Sequence, residues 1–197
     1  LGRALEHPPV AARGTLLAAT TDGKLWRLAL DDGAQRWKCK LFSSPMASPL
    51  VCGSTVVVAT DAPRYIVEGV DLETGEVLWK EPFAFPALPA AADTALVIVA
   101  RGGRIVRLDA ATGARRWEAR LPGAGWRPPV VRAAEGSVLV PVRPDSLVAL
   151  DLATGKRVWG RSLGGLPWLA PSGDPFAALT EAGELMLLDP LSGEPIA

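Results

Sequence analysis

The sequence is poor in the residue types from which metal and catalytic sites are usually built. Among 197 residues it has no Asn, one Gln, one His and two Cys. It therefore has no acceptor for N-glycosylation, and its one His and two Cys lie far apart without the spacing of a zinc-binding motif. Its 21 basic residues balance its 21 acidic residues, so the net positive field of a nucleic-acid or polybasic membrane binder is missing. No run of ~18 apolar residues occurs, and we expect no membrane span.

Glycine and proline are abundant by contrast, with 20 Gly and 18 Pro spread along the whole chain. Hydrophobic residues make up 49% of the sequence and charged residues 21%, a composition that is typical of a folded core rather than of disorder. Frequent turn residues break every stretch that could form a long helix. We therefore expect an all-β protein with many turns, in which residues 1–197 form a single domain.

One phrase recurs five times, with the form Leu-Asp-x-x-Thr-Gly followed four residues later by Trp. The phrase glycines, separated by 42, 38, 42 and 38 residues, are Gly33, Gly75, Gly113, Gly155 and Gly193. The tryptophans and aspartates of the phrase are Trp37, Trp79, Trp117, Trp159, Asp71, Asp109, Asp151 and Asp189. The first copy has Ala29 in place of Asp, and the fifth reaches Ala197 where a Trp is due. A period near 40 residues is typical of a β-propeller blade.

Each repeat has room for four short strands, which are clearest in the fourth repeat at residues 128–132, 137–142, 146–151 and 156–163. Continuous β-branched runs at 55–59 and 95–99 indicate strands that are covered on both faces. The runs at 24–28 and 104–108 alternate polar and apolar residues, as strands nearer the outside of a blade do. We therefore predict a β-propeller of about five four-stranded blades, at approximately residues 8–45, 46–87, 88–125, 126–167 and 168–197.

The recurring residues have structural reasons to recur. Glycine can take the positive φ of a short turn, and Asp and Thr oxygens can accept hydrogen bonds from turn N–H groups. A calcium site is a weaker interpretation of the same acids, because the spacing of a calcium-binding loop is absent. Each Trp is placed where its indole could lie between adjacent blades.

In its phrase and its period the chain resembles the PQQ-like (quinoprotein-type) β-propeller repeat family, and the resemblance covers nearly the whole sequence. The family contains quinoprotein dehydrogenases and the BamB-like propellers of outer-membrane protein assembly. The resemblance implies a propeller of seven or eight blades, more than the five repeats present. The chain could therefore close as a five-bladed ring, with residues 1–7 completing the outer strand of the last blade. It could also form an arc of a larger propeller, or an arc that another chain or segment completes.

The candidates for catalysis are few. His7 is the only histidine and no triad motif surrounds it, so nucleophilic catalysis is not expected. Cys39 and Cys52 fit buried small hydrophobic residues better than a redox or metal motif, with a disulfide as the alternative. The quinoprotein dehydrogenases that the chain resembles usually carry adjacent cysteines, a calcium site and eight blades. We predict no cofactor, no metal and no enzyme activity.

The loops on one face of the blades carry the candidate binding residues. In a blade, the loop before the first strand and the loop after the second strand emerge on the same side. The residues that fall in these loops and that we predict to bind a partner are Trp126, Arg127, Trp168, Met46, Arg64, Arg101, Arg104 and Arg143. Tryptophan and arginine are enriched in protein interfaces. The alternative is that the apolar members pack beneath the loops while the arginines are merely solvated.

These observations favour a non-catalytic scaffold for protein–protein interaction, resembling the BamB component of outer-membrane protein assembly. The resemblance implies a periplasmic or cell-envelope location in a bacterium and a protein partner, without nucleic acid. The alternatives are a fragment of a PQQ-dependent quinoprotein dehydrogenase and a sensor or ligand-binding domain of a larger multidomain protein.

Overall fold

The computed structural model describes residues 4–61, 63–170 and 175–196, which form strands and turns and no helix. Sheet 1 contains β1 (Val10–Ala12), β2 (Thr15–Thr20), β3 (Lys24–Ala29) and β4 (Gln35–Lys40). Sheet 2 contains β5 (Leu50–Cys52), β6 (Thr55–Thr60), β7 (Tyr65–Asp71) and β8 (Val77–Phe83). Sheet 3 contains β9 (Ala87–Ala92), β10 (Ala95–Ala100), β11 (Arg104–Asp109) and β12 (Arg115–Arg120). Sheet 4 contains β13 (Val130–Arg132), β14 (Ser137–Val142), β15 (Ser146–Asp151) and β16 (Arg157–Ser162). Sheet 5 contains β17 (Trp168–Leu169), β18 (Phe176–Leu179) and β19 (Leu185–Leu188).

Within every sheet the strands are antiparallel and pair in chain order. The predicted all-β fold of four-stranded units is confirmed, with three strands in the described part of sheet 5. The predicted blade bounds stay approximate, since β9 begins at Ala87, one residue before the boundary placed at 88. The described residues contain no helical segment that could span a lipid bilayer.

Apolar side chains between consecutive sheets form the core. Four buried clusters join sheet 1 to 2, sheet 2 to 3, sheet 3 to 4 and sheet 4 to 5. Strands β6 and β10 are buried at every position, as their continuous apolar sequence predicts, because a neighbouring sheet covers each of their faces. In β3 burial alternates from residue to residue. The sheets therefore pack face to face in chain order, as the blades of a propeller do.

The phrase tryptophans fasten each sheet to the next one. The Trp37 indole N–H donates to the Leu72 carbonyl at 2.9 Å, and a Cβ on Gly75 would lie 2.7 Å from the indole Cδ2. The three later pairs repeat this arrangement, and they are Trp79 with Ala110 and Gly113, Trp117 with Leu152 and Gly155, and Trp159 with Pro190 and Gly193. Each of these glycines has positive φ as well. Glycine is therefore required twice, by the turn conformation and by the indole that lies against it.

The first sheet has the same turn without an indole against it. Nothing lies within 4 Å of a Cβ built on Gly33, and Leu30 is 57% exposed, whereas its counterparts Leu72, Ala110 and Leu152 are buried. At the other end, Leu185 of sheet 5 is 69% exposed. Among the described residues no buried cluster joins sheet 1 to sheet 5. The described sheets therefore form an open arc rather than a closed five-bladed ring.

The expectation that residues 1–7 complete the last sheet finds no support in the described part of that segment. The Ala4 carbonyl accepts a hydrogen bond from the Thr21 N–H, at the loop between β2 and β3. Ala4 therefore lies against sheet 1 and not against sheet 5. Leu1–Arg3 and Ala197 lie outside the described residues.

The phrase aspartates organise the turns. Asp109 Oδ1 accepts hydrogen bonds from the Thr112 N–H and hydroxyl, and Asp109 Oδ2 pairs with Arg116 at 2.6 Å. Hydrogen bonds from Arg116 and then from Thr112 lower the pKa of Asp109 to about 2. The same turn pattern surrounds Asp71, Asp151 and Asp189, whose pKa values are also lowered. In the first copy, where Ala29 replaces the aspartate, Asp32 Oδ1 instead accepts from the Ala34 N–H.

One carboxylate is buried at the contact between sheets 1 and 2. Glu68 on β7 has no solvent exposure. It accepts a hydrogen bond at 2.6 Å from the N–H of Phe42, which lies two residues after the end of β4, and it pairs with Lys80 at 3.0 Å. A buried charge needs such partners to offset the loss of water. Glu68 thereby ties the chain that leaves sheet 1 to sheet 2, and Arg27 adds a second polar contact between these sheets through the Leu72 carbonyl and Glu73.

Candidate functional site

Two sets of loops meet at one end of the sheets. In sheets 2 and 3 the chain that enters the first strand bonds to the end of the second strand, through the Met46 N–H with the Ala59 carbonyl and the Arg101 N–H with the Pro86 carbonyl. In sheet 4 the Arg143 N–H donates to the Gly123 carbonyl. Residues of the loops before the first strands and after the second strands are therefore neighbours at this end.

The loop before β13 runs tightly across sheets 3 and 4 and presents Trp126. Ala124 is fully buried and forms an isolated bridge with Val142. Gly123 and Gly125 have positive φ, and a Cβ on Gly125 would lie 2.4 Å from the Ala100 carbonyl. Only glycine permits both the conformation and this approach. The loop is thus held against the end of β10, and the next residue, Trp126, is left 39% exposed.

Two arginines contact the Trp126 ring. Arg101, which directly follows β10, places its guanidinium carbon 4.1 Å from the ring centroid, and Arg143, which directly follows β14, does so at 3.7 Å. Both arginines are exposed, and no described carboxylate forms an ion pair with either of them. A guanidinium over an aromatic face is attracted to it and held in orientation. We call Arg101, Trp126 and Arg143 the Arg–Trp–Arg cluster.

A second stacked pair lies on the neighbouring sheet. Arg127 places its guanidinium carbon 3.5 Å from the centroid of Trp168, the first residue of β17, which is 49% exposed. Arg127 Nη2 also pairs with Glu181 at 3.2 Å. Because Arg127 follows Trp126 in sequence, the two stacked groups adjoin. We call Arg101, Trp126, Arg127, Arg143 and Trp168 together the docking face.

An apolar groove begins at the docking face. Its volume is about 370 Å³, and it follows the first strands of sheets 2 to 5, with Leu50, Ala91 and Val131 in its wall and Trp168 at its margin. Arg127 is the charged residue in its lining. An exposed apolar groove rimmed by arginine and tryptophan is suited to holding a polypeptide segment.

The other three predicted binding residues are placed differently. Arg104 lies on β11 over the Phe83 ring and pairs with Glu81 at 2.9 Å and Glu118 at 3.1 Å. Burial alone would lower the pKa of Arg104, but hydrogen bonds to Glu118 and Glu81 raise it. The charge of Arg104 is therefore paired with carboxylates of the protein itself. Arg64 is exposed in the loop between β6 and β7, and Met46 is half-buried in the loop before β5. Their part in binding stays a prediction.

A larger cavity of about 530 Å³ lies at the opposite ends of the strands, between sheets 2 and 3. Cys52 lines it, and burial raises the pKa of this thiol to about 11, which leaves little thiolate for chemistry at neutral pH. Cys39 is also a free thiol, and it packs between sheets 1 and 2. No group of three His, Cys, Asp or Glu residues in the described ranges could hold a metal ion.

The roles of three residues that support the docking face were not visible in the sequence. Gly123 and Gly125 fix the loop that presents Trp126, and Glu181 neutralises Arg127. The Gly-x-Gly spacing directly before Trp126 was the available signal for the first two. Glu181 is 54 residues from Arg127 along the chain, and no local pattern connects them.

Comparisons with known proteins agree with this architecture. The sequence profile of the family described as "Outer membrane protein assembly factor BamB" matches residues 1–80 and 63–197. BamB of Bordetella pertussis is 32% identical over 113 residues, which are 53% of this chain and 28% of that protein. BamB of Burkholderia pseudomallei is 28% identical over 83 residues, which are 40% of this chain and 22% of that protein. The chain thus spans less than a third of each of these relatives.

Solved structures show the same fold at low sequence identity. The crystal structure of BamB from Moraxella catarrhalis aligns with a TM-score of 0.77 and 23% identity, over 99% of this chain and 61% of that one. The computationally designed Ika8 protein aligns with a TM-score of 0.81, 16% identity, and coverage of 98% and 61%. A quinohemoprotein alcohol dehydrogenase from Pseudomonas putida aligns with a TM-score of 0.75, 16% identity, and coverage of 100% and 42%. Because the two profile matches together span all 197 residues, the chain belongs to the family of outer membrane protein assembly factor BamB.

Proposed function

We propose that this chain is a non-catalytic propeller scaffold of the bacterial cell envelope, which binds a protein partner of outer-membrane protein assembly through its docking face. The observation that carries the proposal is the exposure of two indoles at one end of the sheets, each stacked with arginine. Trp and Arg are the residues most enriched among those that dominate binding energy in protein interfaces. Membership of the family of outer membrane protein assembly factor BamB supports the proposed process and the proposed envelope location.

The fixed conformation of the loop in the docking face also supports a binding role. The loop that carries Trp126 is fixed by a buried alanine and by two glycines packed against neighbouring backbone. A preorganised surface loses little conformational entropy when it binds. The groove along the first strands extends this surface, so a partner loop could contact both the indoles and the apolar wall.

Site-specific photo-crosslinking in a Gram-negative periplasm tests the proposal. A benzophenone amino acid replaces Trp126 or Trp168 in separate variants, and Val158, which is 59% exposed on the outer strand β16, is the control position. We expect adducts to a protein of the outer-membrane assembly apparatus from positions 126 and 168 and none from 158. Equal labelling from all three positions, or no adduct from 126 and 168, would contradict the proposal.

A separate experiment tests the proposal that the chain is not a quinoprotein enzyme. Quinoprotein dehydrogenases share the fold, and binding of the quinone would change its absorbance. We expect titration of the chain with PQQ and calcium to leave the quinone spectrum unchanged. A saturable spectral change at stoichiometric protein would instead favour the dehydrogenase alternative.

A further inference from the structure

The chain itself shows what a guanidinium stacked on an aromatic ring binds. Five arginines lie over rings in the described residues, and they are Arg101, Arg104, Arg127, Arg132 and Arg143. Three of these arginines also form an ion pair with a carboxylate, and the pairs are Arg104 with Glu81 and Glu118, Arg127 with Glu181, and Arg132 with Glu135 at 2.5 Å. The aromatic ring covers the flat face of the guanidinium while the carboxylate occupies N–H groups on its edge.

The two exceptions stand on the same indole. Arg101 and Arg143 both contact Trp126, and no carboxylate of the described residues pairs with either one. The nearest acid in sequence, Asp145, is engaged elsewhere: its Oδ1 accepts from the Ser146 hydroxyl and its Oδ2 from the Ser162 hydroxyl. Two exposed positive charges are therefore held side by side without a counter-charge from the protein.

We infer that the Arg–Trp–Arg cluster binds the carboxylates of an acidic segment in a protein partner, and that each of these carboxylates pairs with Arg101 or Arg143 as Glu181 pairs with Arg127. The inference rests on the proposed function and names the chemistry of the partner. Charge complementarity favours Asp or Glu at this point, because two neighbouring cations attract an anion more strongly than one. The apolar groove that begins at Arg127 receives the residues that flank the acidic ones.

Binding of a fluorescein-labelled peptide that alternates Glu-Glu with Gly, followed by anisotropy at low salt, tests the inference on the full chain. The comparison peptide has Gln in place of every Glu. We expect the acidic peptide to bind about tenfold more tightly for each guanidinium engaged, since hydrogen bonds to charged groups are the strong ones. Added salt weakens this difference because both arginines are exposed.

Matched variants locate the binding. The double variant R101Q/R143Q removes the two charges, while R36Q removes one exposed charge from β4, in a different sheet. We expect R101Q/R143Q to lose the preference for the acidic peptide and R36Q to keep it. Because the exchanged side chains are exposed, circular dichroism and the unfolding midpoint should stay at wild-type values in all variants.

Three outcomes overturn the inference. The first is equal affinity for the Glu and Gln peptides, and the second is an acidic preference that survives in R101Q/R143Q. The third is binding to phosphatidylglycerol vesicles that R101Q/R143Q abolishes while the acidic peptide fails to bind, which would assign the cluster to a lipid surface. If the crosslinks from positions 126 and 168 persist under any of these outcomes, the docking function stands and only the acidic partner is wrong.

Discussion

The contact between an indole and the glycine of the next sheet can be tested by adding a single methyl group. Gly155→Ala places a Cβ 2.7 Å from Trp117, while Gly33→Ala places one in open space. The φ angles are +72° and +71°, so both variants bear the same cost of a left-handed alanine, about 1 kcal/mol. Overpacking adds about 1–3 kcal/mol at Gly155 alone. We therefore expect Gly155→Ala to lower the free energy of unfolding by about 3 kcal/mol.

Urea unfolding followed by circular dichroism and tryptophan fluorescence measures both losses. The sharper comparison repeats Gly155→Ala in a Trp117→Ala background, where the indole is gone. The cost of the added methyl should then fall to the value found at Gly33. Equal losses for Gly155→Ala and Gly33→Ala in the wild-type background would refute the role assigned to the indole.

Three further predictions concern buried and titrating groups. Glu68→Ala removes a buried carboxylate together with its hydrogen bond from the Phe42 N–H and its ion pair with Lys80, and it should lower the free energy of unfolding by about 2 kcal/mol in urea, whereas alanine at the exposed Glu76 should change it little. The pKa of Cys52 is raised from 9.0 to about 11, so Ellman's reagent at pH ~8 should react about 100-fold more slowly with it in the folded than in the unfolded chain. The folded pKa of Asp109 is depressed from 3.8 to about 2, so its stabilising contribution is present above 3.8 and is lost as pH falls towards 2. Asp109→Asn should therefore show a smaller drop in melting temperature between pH ~5 and pH ~3, and an unchanged drop would contradict this assignment.

The fold could be predicted because one phrase carries the period, the turn and the packing residue together. Trp117 and Gly155 are both visible in the sequence as repeat positions. Their contact is not visible, because they lie 38 residues apart in different repeats and the glycine already has a sufficient reason in its turn. The sequence left three alternatives for the closure of the propeller. The exposure of Leu30 and Leu185 favours an open arc over a ring closed by the described sheets.

The candidate site was predicted in part for a related reason. Register within the repeat placed Trp126, Arg101 and Arg143 at one end of the sheets, and the structure brings them into contact. Arg104 shares that register, but its charge is paired with Glu81 of the neighbouring sheet. A repeat pattern predicts the backbone position of a residue within its sheet. The partners that form ion pairs or hydrogen bonds with its side chain come from other sheets, and a single sequence carries no signal for them.

The indole contacts have a direction. Every tryptophan of the phrase reaches forward, to the turn of the sheet that comes later in the chain, and in the described residues none of the four reaches back. Each of sheets 2 to 4 thus carries one indole that contacts the next sheet and one turn glycine that receives the indole of the preceding sheet. If the DNA that encodes such a sheet is duplicated or lost, every indole still faces a receiving glycine. Propellers built in this way can therefore change their number of blades without evolving a new contact between blades.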